Sequence, residues 1–291
     1  MAYLWTILSS ALTSLTTVCN KTYMSKTKHI QTNVDLYLLF IYPLMTAYYF
    51  LLAGGNVPLN GPTFWFAFFF ALTSLMNTTL SMRVYNHATI VYITVFSGAS
   101  MILPFFYELL FTEATFSIYQ YIAVLFRIIS VCIPLLFMDA GENITKKGFF
   151  LCFLLFFVSG IGGIITRMFS AHPNVTGDGS YFFWINVFIL PSAILNVFRK
   201  VSPRQLYRDL KQMKFYWFLP LLLAAVISNA FNFISISLIR QVTSTVYSIL
   251  SDSVRILVMA FLSTVVYREK MTPKAAASLL LSFGAVILSL L

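Results

Sequence analysis

The sequence contains ten apolar runs, each long enough to cross a lipid bilayer as a helix. A transmembrane helix needs about 20 mostly apolar residues, and runs of this length are separated here by short polar or charged segments. The runs do not alternate apolar with polar residues, which excludes lipid-spanning strands. With 59% hydrophobic and 10% charged residues, the composition lies outside the range of soluble globular domains. We therefore predict an all-α integral membrane protein with ten transmembrane helices. The runs cover approximately residues 3–20, 36–53, 63–82, 89–111, 117–137, 148–167, 181–198, 215–237, 243–266 and 275–291.

The first run lacks the features of a cleaved signal peptide, and the cysteines lack the pattern of a disulfide framework or a metal site. Met1 is followed by neither a basic region nor a small-residue cleavage site, so the first run is expected to remain as a transmembrane helix. Cys19, Cys132 and Cys152 are odd in number and lie inside or at the edge of apolar runs. That placement is typical of small packing residues. We predict no disulfide framework, no metal site and no cofactor.

Two polar landmarks recur along the chain at an offset of about 155 residues. "SMRVYNHATIVYITVFSGAS" starts at residue 81, and "ISLIRQVTSTVYSILSDSVR" starts at residue 236. In this register Tyr92 falls on Tyr247, and Asn77 falls on Asn232. The pattern predicts an internal repeat.

The repeat divides the chain into a first unit at 1–137, a connecting loop at 138–147 and a second unit at 148–291. Each unit would hold five helices. Because five is odd, the second unit would enter the membrane from the opposite side, as two inverted five-helix repeats. Inverted repeats are common among secondary transporters, whose substrate sites lie near the membrane midplane between the repeats.

The end of the chain resembles a known carrier family. "REKMTPKAAASLLLSFGAVILSLL" at 268–291 is similar to the closing G-E-R-L-T-P…G…L-I-L-x-G segment of EamA-type carriers in the drug/metabolite transporter superfamily. Arg268 stands where that family usually has Gly, and the corresponding first-half element at 112–124 is degenerate. The ten-helix pattern extends the resemblance over nearly the whole chain. It implies a carrier without specifying a substrate.

The basic residues predict the orientation of the chain. If Met1 is extracytoplasmic, fifteen of the nineteen Lys and Arg residues lie in cytoplasmic loops. Arg167 and Arg240 lie outside, and Arg127 and Arg255 lie within the membrane. Positive residues favour cytoplasmic loops. We therefore expect both termini to be extracytoplasmic, in a bacterial cytoplasmic membrane, although most EamA-type carriers are expected to have both termini inside.

The net charge of +10 lies mostly in these short loops, so lipid headgroups rather than nucleic acid are the expected partner. An amphipathic surface helix in "RKVSPRQLYRDLKQMK", which starts at residue 199, is an alternative use of the same charges.

Charged residues inside the predicted ninth helix mark a candidate site. Asp252 and Arg255 lie near the middle of that run, where each charge costs roughly 2.5 to 3.5 kcal/mol. Their i, i+3 spacing places them on one helix face, and the repeat maps Ser97 and Ser100 onto them. A solvated cavity between the repeats would make such charges tolerable. The alternative is an internal Asp252–Arg255 pair that fixes helix packing.

Further polar residues at similar depth extend the candidate site. Arg127 lies at the middle of the fifth run, whereas Glu108 lies near the end of the fourth, where it can reach interfacial water. Ser and Asn side chains in membrane helices more commonly form interhelical hydrogen bonds. The predicted substrate-binding residues are Asp252, Arg255, Arg127, Ser97, Ser100, Tyr247, Asn232, Asn77 and Glu108.

These residues favour a secondary active transporter or exchanger that works by alternating access. Two arginines against one aspartate at midplane depth favour a small anionic or zwitterionic metabolite. A multidrug or cationic-compound exporter of the same fold is the alternative, and coupling to protons or to a counter-substrate stays open. A membrane-embedded enzyme is disfavoured, because the sequence contains no H-E-x-x-H, G-x-S-x-G or paired-Asp diphosphate motif.

Overall fold

The computed structural model of the chain is built from α-helices. It describes residues 2–27, 33–88, 90–100, 102–112, 116–136, 145–200, 202–212 and 273–290, together with Ile30 and separate positions between 219 and 268. Within these ranges no β-strand occurs, which confirms the all-α class. The helices are α1 (Ala2–Lys26), α2 (Asn33–Leu52), α3 (Gly61–Val84), α4 (Ile90–Ala99), α5 (Ile102–Phe111), α6 (Ile118–Leu136), α7 (Lys146–Ala171), α8 (Asp178–Lys200), α9 (Pro203–Gln212) and α10 (Pro273–Leu290).

Four of these helices, α2, α3, α7 and α8, are long and apolar enough to cross a membrane. They coincide with the predicted runs at 36–53, 63–82, 148–167 and 181–198, extending each by a few residues at one or both ends. The chain is therefore a helical membrane protein. The total of ten spans and the inverted repeat stay predictions, because most of the predicted eighth span and much of the ninth lie outside the described residues.

The ends of the long helices follow from local sequence signals. Asn60 caps α3, because its side-chain oxygen accepts a hydrogen bond of 3.0 Å from the Thr63 N–H. Thr145 caps α7 in the same way, through the Gly148 N–H at 3.0 Å. After α2 the chain turns at Gly54, whose φ of +65° is a left-handed conformation that glycine adopts without steric cost.

The long helices pack around an aromatic core. The end of α2 meets the start of α8, where Tyr49 stacks on Phe182 at 5.3 Å between ring centroids. α3 packs against both α7 and α8. On α7 and α8, Phe169 stacks on Tyr181 at 3.8 Å, and both are almost completely buried. α6 pairs with α10 through a hydrogen bond of 3.1 Å from Ser282 to Ser130.

The predicted fourth span is not one continuous helix. α4 ends at Ala99 and α5 begins at Ile102. Pro104 has no N–H to donate. In a continuous helix its ring would clash with the carbonyl of Ser100, four residues earlier. Ser100 instead lies in a turn, where its N–H and its hydroxyl both donate hydrogen bonds to the Ser97 carbonyl, at 3.3 and 2.6 Å. The prediction of a single run over 89–111 did not anticipate the turn at Ser100.

Glycines of α7 allow the broken span to approach closely. A Cβ on Gly160 would lie 2.9 Å from the Ser100 carbonyl oxygen, and a Cβ on Gly163 would lie 2.7 Å from Pro104 Cγ. No larger residue fits at either contact without movement of the neighbour. α7 therefore packs directly against Ser100 and Pro104, where α4 gives way to α5.

The short helix α9 confirms the alternative interpretation of the basic loop as an amphipathic helix. Leu206 and Leu210 pack against the hydrophobic core, whereas Arg204 and Arg208 are exposed. The predicted connecting loop at 138–147 lies mainly outside the described residues.

Candidate functional site

A polar cavity of about 500 Å³ lies between α3, α4, α7 and the residue Arg255. It borders the break between α4 and α5, at the level of the α7 glycines. The volume is within the range of small-molecule binding sites, roughly 300 to 1,000 Å³. The described residues that line it are Phe70, Thr73, Ser74, Asn77, Ser81, Ser97, Ser100, Val158, Ser159, Gly162, Gly163, Thr166 and Arg255.

Arg255 supplies a positive charge to this cavity. Its Nη2 donates a hydrogen bond of 3.0 Å to the Ser97 hydroxyl, which joins the predicted ninth span to the fourth. Its Nε is buried and has no hydrogen-bond partner within the described part of the chain. Guanidinium groups bind carboxylates in a two-point geometry, and Arg255 is the cationic side chain among the described lining residues.

Helix α1 supports the segment that carries Arg255. Ser10 donates to the Ser251 hydroxyl at 2.8 Å, and Ser14 lies 3.5 Å from the Arg255 carbonyl oxygen. Ser10 and Ser14 are themselves buried. These contacts hold the backbone near Arg255 against α1. The hydrogen bond to Ser97 holds the Arg255 guanidinium against α4.

Asn77 and Ser159 connect the two long walls of the cavity. The Ser159 hydroxyl on α7 donates a hydrogen bond of 3.0 Å to the Asn77 side-chain oxygen on α3. The sequence prediction included Asn77 but not Ser159, nor Thr73, Ser74, Ser81 and Thr166. The run "SGIGGIIT" that starts at Ser159 carried a signal for Ser159 and Thr166, since small residues at helical spacing favour close helix contact in membranes.

Several hydroxyl groups present acceptor oxygens to the cavity. Thr73 donates its proton to the Phe70 carbonyl at 2.9 Å, and Thr166 donates to the Gly162 carbonyl at 3.0 Å. A hydroxyl that donates to its own helix can still accept through its oxygen lone pairs. The described walls thus combine acceptors with the Arg255 donors, which is complementary to a solute that carries both an anionic group and hydrogen-bond donors.

Glu108 does not line the cavity. It forms an ion pair with Arg167, which lies near the end of α7 rather than in an outer loop. The pair is one helical turn beyond the contact between Pro104 and Gly163. Arg167 therefore offsets the charge of Glu108.

The other predicted site residues are separate from the cavity or cannot be placed. Arg127 is buried at 3% exposure in α6 and is not among the residues that line the cavity. Asp252, Tyr247 and Asn232 lie outside the described residues. The structure thus brings together four of the predicted residues: Asn77, Ser97, Ser100 and Arg255.

Over the described ranges, no cluster of three His, Cys, Asp or Glu side chains could hold a metal ion.

No protein-family model and no curated protein matches the chain.

Proposed function

We propose that the chain is a secondary active transporter or exchanger that carries a small anionic or zwitterionic metabolite across a membrane by alternating access. The observation that carries this proposal is the break between α4 and α5 beside a polar cavity that holds Arg255. Interrupted membrane helices typically form the substrate sites of transporters, because the backbone at the break is tolerated where it lines a cavity.

The lining chemistry supports the proposed substrate class. The described walls contain one cationic side chain, Arg255, and a set of hydroxyl and amide groups. Arg255 would bind a carboxylate, and the hydroxyl oxygens would accept hydrogen bonds from ammonium or hydroxyl groups of the same solute. A multidrug or cationic-compound exporter fits these walls less well, because they would place a cation against a cation.

The packing of the helices supports the inverted repeat. In two five-helix repeats, the predicted second span would correspond to the seventh and the fifth to the tenth. Equivalent helices that lie next to a two-fold axis between the repeats would pack against each other, and α2 packs against α8 as α6 packs against α10.

Arg268 supports the proposed relationship to EamA-type carriers. It has a φ of 50°, in the left-handed region that favours glycine, at the position where the family usually has Gly. This chain and the family would thus share a left-handed backbone conformation at this position, although the side chain differs.

We also propose a bacterial cytoplasmic membrane as the location, with both termini extracytoplasmic. One end of the bundle, where α3 ends and α7 begins, joins His87 to Thr145 by a backbone hydrogen bond of 3.1 Å. Basic residues collect at this end, which favours the cytoplasmic side. They include Lys26, Arg83, Lys146, Lys147, Arg199, Arg204, Arg208 and Lys211.

Thermal unfolding of the detergent-purified protein tests the proposal. Amino acids, organic acids, nucleosides, sugar nucleotides and lipophilic cations would be added singly. A ligand at 100 times its Kd stabilises the folded state by about 2.7 kcal/mol. We expect an acid or amino acid to raise the melting temperature of the wild type and of Ser170→Ala, an exposed serine outside the cavity. The shift should shrink in Ser97→Ala and disappear in Arg255→Gln.

Two outcomes would count against this assignment. Stabilisation by lipophilic cations alone would favour the exporter alternative. A ligand shift that is unchanged in Arg255→Gln would place binding elsewhere. Arg255→Lys, which keeps the charge but loses the guanidinium fork, separates ligand binding from folding and should retain a reduced shift.

A further inference from the structure

Helix α9 has two unlike faces. Leu206 and Leu210 pack against the hydrophobic core, and Asp209 beside them is 9% exposed. Tyr207 is 69% exposed on the other side. The apolar residues of this amphipathic helix are therefore already covered by the protein.

The outward face carries three cations. Arg204, Arg208 and Lys211 are exposed, and their spacing of four and three residues aligns them on one face together with Tyr207. We call these four residues the basic stripe. A stripe of this kind concentrates positive charge along the length of the helix.

The basic stripe is connected directly to the lipid-facing surface. Two residues separate the end of α8 from the start of α9. In the last turns of α8, Leu195 and Phe198 are 68% and 58% exposed, as expected for side chains that contact acyl chains, and Arg199 next to them is also exposed. The chain thus passes from hydrocarbon to the stripe within a few residues, which places the stripe at headgroup level.

We propose that the basic stripe is a binding site for the headgroups of anionic phospholipids. Guanidinium groups bind phosphate oxygens in a two-point geometry, and lysine adds a point charge. Exposed tyrosine is favoured at the same depth of the bilayer. Continuity with the acyl-facing surface of α8 favours a lipid over a nucleic acid or a soluble protein. This inference does not depend on the proposed transport function.

Lipid titration of the detergent-purified full chain tests the site. Binding of fluorescent phosphatidylglycerol would be compared with binding of fluorescent phosphatidylcholine. We expect wild-type protein to prefer the anionic lipid by about tenfold or more, since each basic residue contributes to attraction at an anionic surface. Arg204→Gln/Arg208→Gln/Lys211→Gln should reduce this preference to near one.

A matched variant controls for total charge. Arg83→Gln/Lys146→Gln/Lys147→Gln removes three exposed cations from the same end of the bundle. It should keep the preference for phosphatidylglycerol. The proposal is overturned if the stripe variant keeps the preference, or if the control variant loses it equally. Millimolar inorganic phosphate should not displace the lipid from the wild type; displacement would mean that the stripe binds free phosphate instead.

Discussion

The Glu108 carboxylate and the Arg167 guanidinium form an ion pair between α5 and α7, with both side chains largely buried. Removing one partner of such a pair leaves an uncompensated charge, at a cost of about 3 kcal/mol. We expect Glu108→Gln and Arg167→Gln each to lower the melting temperature in detergent. Glu108→Gln/Arg167→Gln should lose less stability than the two single changes added together. Fluorescence-monitored thermal unfolding measures all three, and strictly additive losses would show that the two residues do not interact.

Arg268 provides a second test at the scale of one residue. Its φ of 50° is a conformation that costs a residue with a Cβ roughly 1 to 2 kcal/mol. We expect Arg268→Gly to raise the melting temperature, because glycine adopts this conformation without the steric penalty. Arg268→Ala is the matched control, since it removes the charge but keeps the Cβ. Equal melting temperatures for the two variants would contradict the backbone explanation.

At the scale of the element, the glycines of α7 differ in what a side chain would meet. A Cβ on Gly160 would lie within 3 Å of the Ser100 carbonyl oxygen and of Leu103 Cβ, whereas a Cβ on Gly162 would make ordinary contacts at 3.6 Å. We expect Gly160→Ala to destabilise the protein by about 1 to 3 kcal/mol, and Gly162→Ala to be tolerated. Thermal unfolding of the two variants measures the difference. Loss of stability in Gly162→Ala alone would contradict the packing described for α7.

The elements that could be predicted from the sequence are those with strong apolar runs. α2, α3, α7 and α8 follow from composition and length, because membrane helices must satisfy their backbone hydrogen bonds internally. The break after α4 was missed, because apolar residues continue through it. Its signal was local: Pro104 lies four residues after Ser100.

The candidate site was predictable only where a charged residue or the predicted repeat marked it. Arg255 and Ser97 were found in this way, and the structure joins them by a hydrogen bond. The Ser and Thr residues of α3 and α7 were not singled out, since the same residue types also serve in helix packing. The partner of Glu108 was missed because Arg167 was assigned to a loop, although α7 extends to Ala171.

At the scale of the whole molecule, the proposed orientation depends on the basic residues that collect at one end of the bundle. We expect a membrane-impermeant maleimide, added to intact cells, to label a cysteine at position 174 and not one at position 202. Asn174 and Ser202 are exposed at opposite ends. Cys19, Cys132 and Cys152 would first be replaced by alanine. Labelling at 202 but not at 174 would reverse the orientation and place both termini in the cytoplasm.

The central claim is that solute crosses the membrane through the cavity beside Arg255, and counterflow in proteoliposomes tests it most directly. Liposomes loaded with unlabelled acid or amino acid would take up the labelled compound from outside. We predict saturable uptake that internal substrate accelerates, that Arg255→Gln abolishes and that Ser170→Ala preserves. Uptake that is linear in concentration and indifferent to internal substrate, or that survives Arg255→Gln unchanged, would contradict transport by alternating access at this cavity.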